Sequence, residues 1–367
     1  MKSTRQLHDL GQSLWLDNMT RALLDSGTLS AYIRDLSVTG LTSNPTIFDS
    51  AIKESPLYDA AIQRGAAAGT KAEALFYELA LDDLTKAADL FRPIHEATDG
   101  VDGWVSLEVS PVLADDTAGS IEAAASLHAR AARTNLFIKI PGTPAGVTAI
   151  EESIFAGVPV NVTLLFSREQ YVAAADAYVR GIERRIAAGR DPRVGSVASI
   201  FISRWDVAAN DKVPDRLRNR LGIAIARRVY KCYCERLASA RWKTLESAGA
   251  VPQRLLWAST GTKDPKASDT LYVEALAAPD TINTMPEKTL HAFAQHGRIQ
   301  GVMPRDGGDA EKVLAEFARE GVNDAKLAAD LQREGTQSFD KSWNSLLARI
   351  AEKSAALKGS ASGASFS

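Results

Sequence analysis

Leu136-Phe137-Ile138-Lys139-Ile140-Pro141-Gly142-Thr143 is the stretch on which the fold and the chemistry of this chain turn. Four apolar residues surround a single lysine, and Pro-Gly ends the run. A segment this apolar, bounded by turn residues, reads as a strand buried on both faces, as in a parallel sheet. Lysine is almost never fully buried unless it is paired or has a chemical use. A desolvated ammonium gives up its charge readily, and the neutral amine is the nucleophile that forms Schiff bases with carbonyl compounds. The plainer reading is a strand-end lysine that snorkels to solvent or pairs with a carboxylate. The rest of the chain decides between the two.

Seven further runs of the same kind lie on either side: Ser13–Asp17, Ser37–Leu41, Trp104–Val109, Val158–Thr163, Val197–Ile202, Leu255–Ala258 and Thr281–Thr284. Between them, apolar residues recur at three- and four-residue spacing, as in Phe76, Leu79, Leu84, Ala87, Phe91 and in Leu217, Leu221, Ile225, Val229. Strands alternating with helices imply parallel pairing with right-handed crossovers. Eight such units favour a closed α/β structure, a single (β/α)8 TIM barrel with extra helices, over an open doubly wound sheet. The extra helices are expected between Asn44 and Leu90 and between Leu217 and Ser247, with a final amphipathic helix carrying Phe339, Trp343, Leu346, Leu347 and Ile350. The barrel is expected to occupy residues 1–357, and the Gly/Ser/Ala-rich residues 358–367 read as a flexible tail. No internal repeat is found.

The 367 residues are 45% hydrophobic and 24% charged, ordinary values that permit a large core. A net charge of −2 argues against nucleic acid or a membrane surface held by bulk electrostatics, while allowing a local cationic pocket. The N-terminal residues lack the apolar core of a signal peptide, and no run of about 18 apolar residues occurs, so a cytoplasmic location is expected. Cys232 and Cys234, two apart on a helix, point to different faces and read as buried reduced thiols. The five histidines are scattered except for His291 and His296, so no metal is expected. Walker A, G-x-G-x-x-G, G-x-S-x-G and H-E-x-x-H patterns are absent, and no cofactor is expected.

A barrel places its functional groups at the carboxyl ends of its strands. There the sequence puts Asp17, Glu108, Lys139, Asn161 and Thr163, with Asn44 just beyond the second strand. Asn161 and Thr163 share one face of their strand because side chains alternate. Each has a plain structural use: Asp17 and Glu108 as helix caps or partners of Lys139, Asn44 as an N-cap ahead of Pro45, the others as satisfied buried polar groups. Their convergence on one rim is harder to dismiss, since unpaired buried polar atoms are costly. A Schiff-base lysine needs one acid/base for carbinolamine formation and dehydration and another for the substrate hydroxyl. Two carboxylates in different environments meet that need. Ser199 through Arg204, and Ser259 through Lys263, end the sixth and seventh strands with hydroxyls and cations suited to a phosphate ester.

At these residues the chain resembles the transaldolase family, in its longer bacterial form. The matching segments are Gly40-Leu41-Thr42-Ser43-Asn44-Pro45-Thr46-Ile47-Phe48, Val105-Ser106-Leu107-Glu108-Val109, Ile138-Lys139-Ile140-Pro141-Gly142-Thr143 and Asn161-Val162-Thr163-Leu164-Leu165-Phe166-Ser167. The resemblance implies transfer of a dihydroxyacetone unit from sedoheptulose 7-phosphate to glyceraldehyde 3-phosphate, giving erythrose 4-phosphate and fructose 6-phosphate, in the pentose phosphate pathway. It implies that Lys139 forms the Schiff base and that Glu108 is the acid/base acting through a water that Thr163 helps place. Asp17 would exchange a proton with the hydroxyl at the bond being cut, and Asn44 and Asn161 would hold the dihydroxyacetone hydroxyls. Ser199 and Arg204 fall on its phosphate-binding stretch. Some members carry an arginine soon after the seventh strand, where this chain has the longer Ser259-Thr260-Gly261-Thr262-Lys263. The expected partners are sugar phosphates, and the expected state is a monomer or homodimer. A fructose 6-phosphate aldolase that releases free dihydroxyacetone is the near alternative, and Phe201, where such aldolases tend to carry tyrosine, favours transfer. A barrel that only binds sugar phosphates is the other, but mere binding needs no activated amine.

Overall fold

A computed structural model describes residues 2–363, with side chains through Leu357. The tail expected over 358–367 lies outside the described side chains, and residues 364–367 lie outside the described residues altogether. Eight parallel strands close into one barrel in chain order. They are β1 (Ser13–Asp17), β2 (Val38–Thr42), β3 (Val105–Glu108), β4 (Leu136–Pro141), β5 (Val160–Leu165), β6 (Ser196–Phe201), β7 (Gln253–Ala258) and β8 (Thr281–Met285). Every expected strand is present; β1 has the expected bounds, and the others differ by one or two residues at one end or both. β8 pairs back on β1 through Leu14 and Asn283, so the sheet has no free edge.

Alternation divides each strand between the barrel interior and the surrounding helices. Ser13, Trp15 and Asp17 share one face of β1, and Leu14 and Leu16 the other. Gly40 on the neighbouring β2 has no side chain because the Trp15 indole occupies its place: a Cβ there would lie 2.5 Å from that ring. At the amino-terminal end, the buried Arg254 guanidinium donates to Val101 O (2.9 Å), Ser13 Oγ (2.8 Å) and Thr281 O (3.0 Å). Three acceptors from three segments satisfy this cation and close the barrel floor.

The carboxyl ends are organised differently. Asn44, Thr143 and Ser167 each leave a strand and cap the next helix within a few residues, accepting from Ile47 N, Gly146 N and Gln170 N. Pro45 and Pro144 take the first helical position, where a missing N–H costs nothing. Ser167 and Gln170 form a reciprocal capping box. The connections that result are short. The extra helices lie where expected, at Pro45–Glu54, Asp59–Ala67 and Ala72–Ala97 and again at Leu221–Ala238 and Ala240–Ser247.

The last helix corrects the sequence reading. It spans Asp324–Gly363, far more than the stretch marked by Phe339 and Ile350. It crosses the carboxyl mouth of the barrel. Gln332 donates to carbonyls beyond β4 and in β5, and Arg349 and Ser345 bind Asp49 on the helix after β2. Trp343 meets Phe76 edge-on at 5.0 Å. One cysteine also departs from expectation: Cys234 is buried, whereas Cys232 is partly exposed, and both are free. Among the described residues, no helix is long and apolar enough to cross a membrane.

Candidate active site

Register brings three of the expected residues together before any side chain is considered. Glu108 pairs with Lys139 across β3 and β4, and Lys139 with Asn161 across β4 and β5. All three are buried. Lys139 Nζ lies 3.3 Å from Glu108 Oε2 and donates to Ser43 O at 3.1 Å. Lysine burial is therefore answered by a carboxylate and a carbonyl: of the plain reading, snorkelling falls and the carboxylate partner is present. Burial pushes the Glu108 carboxyl above its ordinary range, with the Lys139 charge opposing. Its other oxygen, Oε1, and the Thr163 Oγ1 are both buried without a protein partner.

Asp17, at the end of β1, accepts from Thr42 Oγ1 at 2.8 Å, and Thr42 in turn lies 2.7 Å from Thr284 Oγ1. Desolvation raises the Asp17 carboxyl too, against the Thr42 hydrogen bond and the charges of Lys139 and Lys263. The two carboxylates thus differ in kind: Glu108 is bound to the lysine, and Asp17 to a hydroxyl chain formed by Thr42 of β2 and Thr284 of β8.

A cavity of about 140 Å³ opens between them at the carboxyl mouth. It is lined by Asp17, Asn44, Lys139, Thr163, Ser199, Arg204, Ser259 and Lys263, eight of the ten residues singled out from sequence. Glu108 and Asn161 stand behind this lining. The Asn161 amide is engaged at both ends, donating to Ser106 Oγ at 3.1 Å and accepting from Ser199 Oγ at 2.7 Å. Asn44 keeps its structural use as well, its Oδ1 capping a helix at 3.1 Å from Ile47 N. Its Nδ2 remains available as a donor.

Cations hold the far side. Arg204 forms no ion pair among the described residues, and its guanidinium lies 5.1 Å from the centre of the Phe201 ring. Burial lowers its proton affinity, with Glu334 opposing. Ser203 Oγ and Ser259 Oγ meet at 2.8 Å beside it, and Ser259 adopts a left-handed backbone, φ 55°. Lys263 is exposed at the rim. No group of three or more His, Cys, Asp or Glu side chains suited to a metal ion occurs among the described residues.

Several contributors were not singled out in the sequence. Thr42, Ser43 and Ser106 lie within the quoted motifs, and strand alternation could have named Ser106 as a neighbour of Asn161. Thr284 ends the expected eighth strand and Phe339 lies on the apolar face of the last helix, but the sequence reading places neither in the site.

Known proteins resemble this chain over nearly its whole length. Residues 14–350 match the family described as Transaldolase/Fructose-6-phosphate aldolase. The chain belongs to this family. Curated relatives named transaldolase include those of Thermobifida fusca, 44% identical over 96% of this chain and 98% of that protein. Those of Renibacterium salmoninarum and Thiobacillus denitrificans are each 43% identical, covering 98% and 95% of this chain and 99% and 100% of theirs.

Proposed function

We propose that this chain is a transaldolase, transferring a dihydroxyacetone unit from sedoheptulose 7-phosphate to glyceraldehyde 3-phosphate through an imine on Lys139. The observation that carries the reading is the Lys139–Glu108 pair, sealed between β3 and β4 beneath the mouth of a barrel. Mere sugar-phosphate binding gives no reason to bury an amine beside a carboxylate.

The steps follow from the positions. The Lys139 amine attacks the ketone carbon, C2, of the donor, and the resulting carbinolamine loses water to give the imine. Glu108 moves the protons of addition and dehydration, aided by a water between its Oε1 and Thr163 Oγ1; both oxygens are buried and without protein partners, which suits that assignment. Asp17 takes the proton from the hydroxyl on C4 as the C3–C4 bond breaks. The electron pair of that bond passes into the imine, leaving an enamine on Lys139 and releasing erythrose 4-phosphate. The enamine then attacks the acceptor aldehyde, Asp17 returns its proton to the new hydroxyl, and hydrolysis frees fructose 6-phosphate. Carboxyls raised by burial serve this exchange because their proton affinity lies nearer the working pH.

Asn44 and Asn161 hold the hydroxyls of the three-carbon unit, and Ser199, Ser259, Arg204 and Lys263 receive the phosphate. Asn161 reaches the ligand by exchanging its present hydrogen bonds to Ser106 and Ser199. The enzyme works in the cytoplasm, as a monomer or homodimer.

Release of free dihydroxyacetone is the second reading that the family name permits. Phe201 speaks against it: an apolar ring on the pocket wall offers no hydroxyl to protonate the enamine. Conversion of fructose 6-phosphate and erythrose 4-phosphate to sedoheptulose 7-phosphate and glyceraldehyde 3-phosphate tests the proposal. Dihydroxyacetone formed at a comparable rate without an acceptor would overturn it in favour of the aldolase.

A further inference from the structure

Three residues of the last helix, Gln332, Gly335 and Phe339, follow one another at three- and four-residue spacing and so share one face. That face meets the mouth of the barrel. Gln332 Nε2 donates to Gly142 O and to Leu164 O, both at 3.0 Å. These carbonyls follow the strand of Lys139 and the residue Thr163, so one side chain ties the helix to both. Leu164 itself is left-handed, φ 58°, where β5 shifts register against β6. Gly335 comes next. A Cβ there would sit 2.9 Å from Leu164 Cδ2 and 3.3 Å from Arg204 Nη1, so glycine lets the helix approach both.

One turn further, Phe339 is buried and lines the cavity, its ring centre 6.0 Å from the Arg204 guanidinium. Phe201 approaches the same guanidinium at 5.1 Å. Arg204 thus lies against two aromatic rings and, among the described residues, pairs with no carboxylate. Aromatic faces attract a guanidinium without consuming its N–H donors or cancelling its charge. A carboxylate in the same place would do both.

We propose that Phe339 is a positioning residue that sets selectivity for phosphorylated substrates, holding the Arg204 guanidinium over the cavity with its donors free for a phosphate dianion. The inference rests on the reading of Arg204 as a phosphate ligand. Gln332 and Gly335 fix the height of the helix and hence of the ring. Without the ring, Arg204 is free to turn toward Glu334, the acid whose charge already reaches it.

The test compares full-length Phe339→Leu, Phe339→Tyr and Arg204→Ala on fructose 6-phosphate and on unphosphorylated fructose, with inhibition by inorganic phosphate measured beside them. For Phe339→Leu, kcat/KM on fructose 6-phosphate should fall about three- to thirty-fold, mainly through KM, the range that a cation–π contact allows. Inhibition by phosphate should weaken by the same factor. Activity on fructose should stay within about two-fold, and Phe339→Tyr, which keeps a ring, should restore selectivity. Phe339→Met gives a second volume-keeping swap should the leucine variant fold poorly. Equal losses on both donors, or no loss on either, would overturn the proposal. Arg204→Ala separates the two levels. If it abolishes phosphate selectivity while Phe339→Leu and Phe339→Met retain it, this inference alone fails. If it leaves selectivity intact, the phosphate reading fails and takes the inference with it.

Discussion

Glu108 and Lys139 are partners twice over: they are opposite one another in the β3–β4 register, and their side chains meet at 3.3 Å inside the barrel. A charged pair so well sealed is poor evidence of stability, because desolvation offsets most of the attraction. Removing one partner is costly, however, since it strands the other. In the proposed reaction the pair serves as an amine and a proton acceptor for the same carbonyl substrate.

Lys139 is expected to carry the donor as an imine. Borohydride with fructose 6-phosphate should inactivate the enzyme and leave a reduced three-carbon unit on Lys139, located by peptide mass mapping, while EDTA has no effect. Modification at a different lysine would sink the mechanism.

Asp17 and Glu108 are expected to fail at different steps, since one stands at the cavity wall and the other behind the lysine. Asp17→Ala should still form the imine but lose carbon–carbon cleavage. Glu108→Gln should slow imine formation and hydrolysis as well. Each loss should be roughly 10²- to 10⁴-fold, the usual worth of a general acid/base. Near-normal turnover in both folded variants would make the carboxylates structural.

Arg204 and Lys263 should distinguish donors by their phosphate. A charge-assisted bond is worth about 1.5–3 kcal/mol, so Arg204→Ala should weaken phosphorylated substrates roughly ten- to a hundred-fold. Lys263→Ala should lose less, because its ammonium is exposed and lacks the bidentate fork. Steady-state kinetics on matched phosphorylated and unphosphorylated donors would decide it, and an equal loss on both would assign Arg204 to shaping the site.

Asp17 should also leave a mark on stability. Burial raises its folded-state proton affinity above the ordinary value of 3.8. Its neutral form is therefore the one that suits the fold: its contribution is full below that value and is lost as pH rises through the folded-state titration. Asp17→Asn keeps an acceptor for Thr42 and removes the charge, so it should melt higher than the parent at pH 8 and converge with it as pH falls toward 4. About 1 kcal/mol of relief corresponds to roughly 2 °C. Melting curves across that range check it; a gain largest at acid pH would show the sign to be wrong.

Strands were the most legible part of this chain. Each is a largely apolar run with polar residues at or near its carboxyl end, and Lys139 stood out because its neighbours made its charge expensive. Asp17, Glu108, Thr163 and Arg204 were readable because a barrel concentrates chemistry where strands end. The covering of the mouth was not. Periodicity announces a helix at Phe339 and Trp343 but says nothing of where it lands, and Gln332 acts on two backbone carbonyls, which have no sequence signature. Leu164 hides its left-handed backbone, since no glycine marks it. Asn161 held to Ser106 and Ser199, rather than open to the cavity, is likewise a matter of rotamer and register that residue identity does not encode.

The helix that roofs the site, Asp324–Gly363, follows every strand in the chain. During synthesis the barrel can close as soon as β8 reaches β1, while the roof is still inside the ribosome or unmade. Chains emerge at roughly 5–20 residues per second, so for some seconds Phe166, Phe201 and the Leu164 turn face water. The nascent barrel has its lysine and both carboxylates, yet its mouth is an exposed apolar rim. Completion of the catalytic pocket and protection from aggregation therefore arrive together, with the same turns of helix. Ribosome-stalled chains halted just before Asp324, with β8 clear of the ribosome and the last helix unmade, should accordingly bind a hydrophobic-surface probe that the finished chain does not.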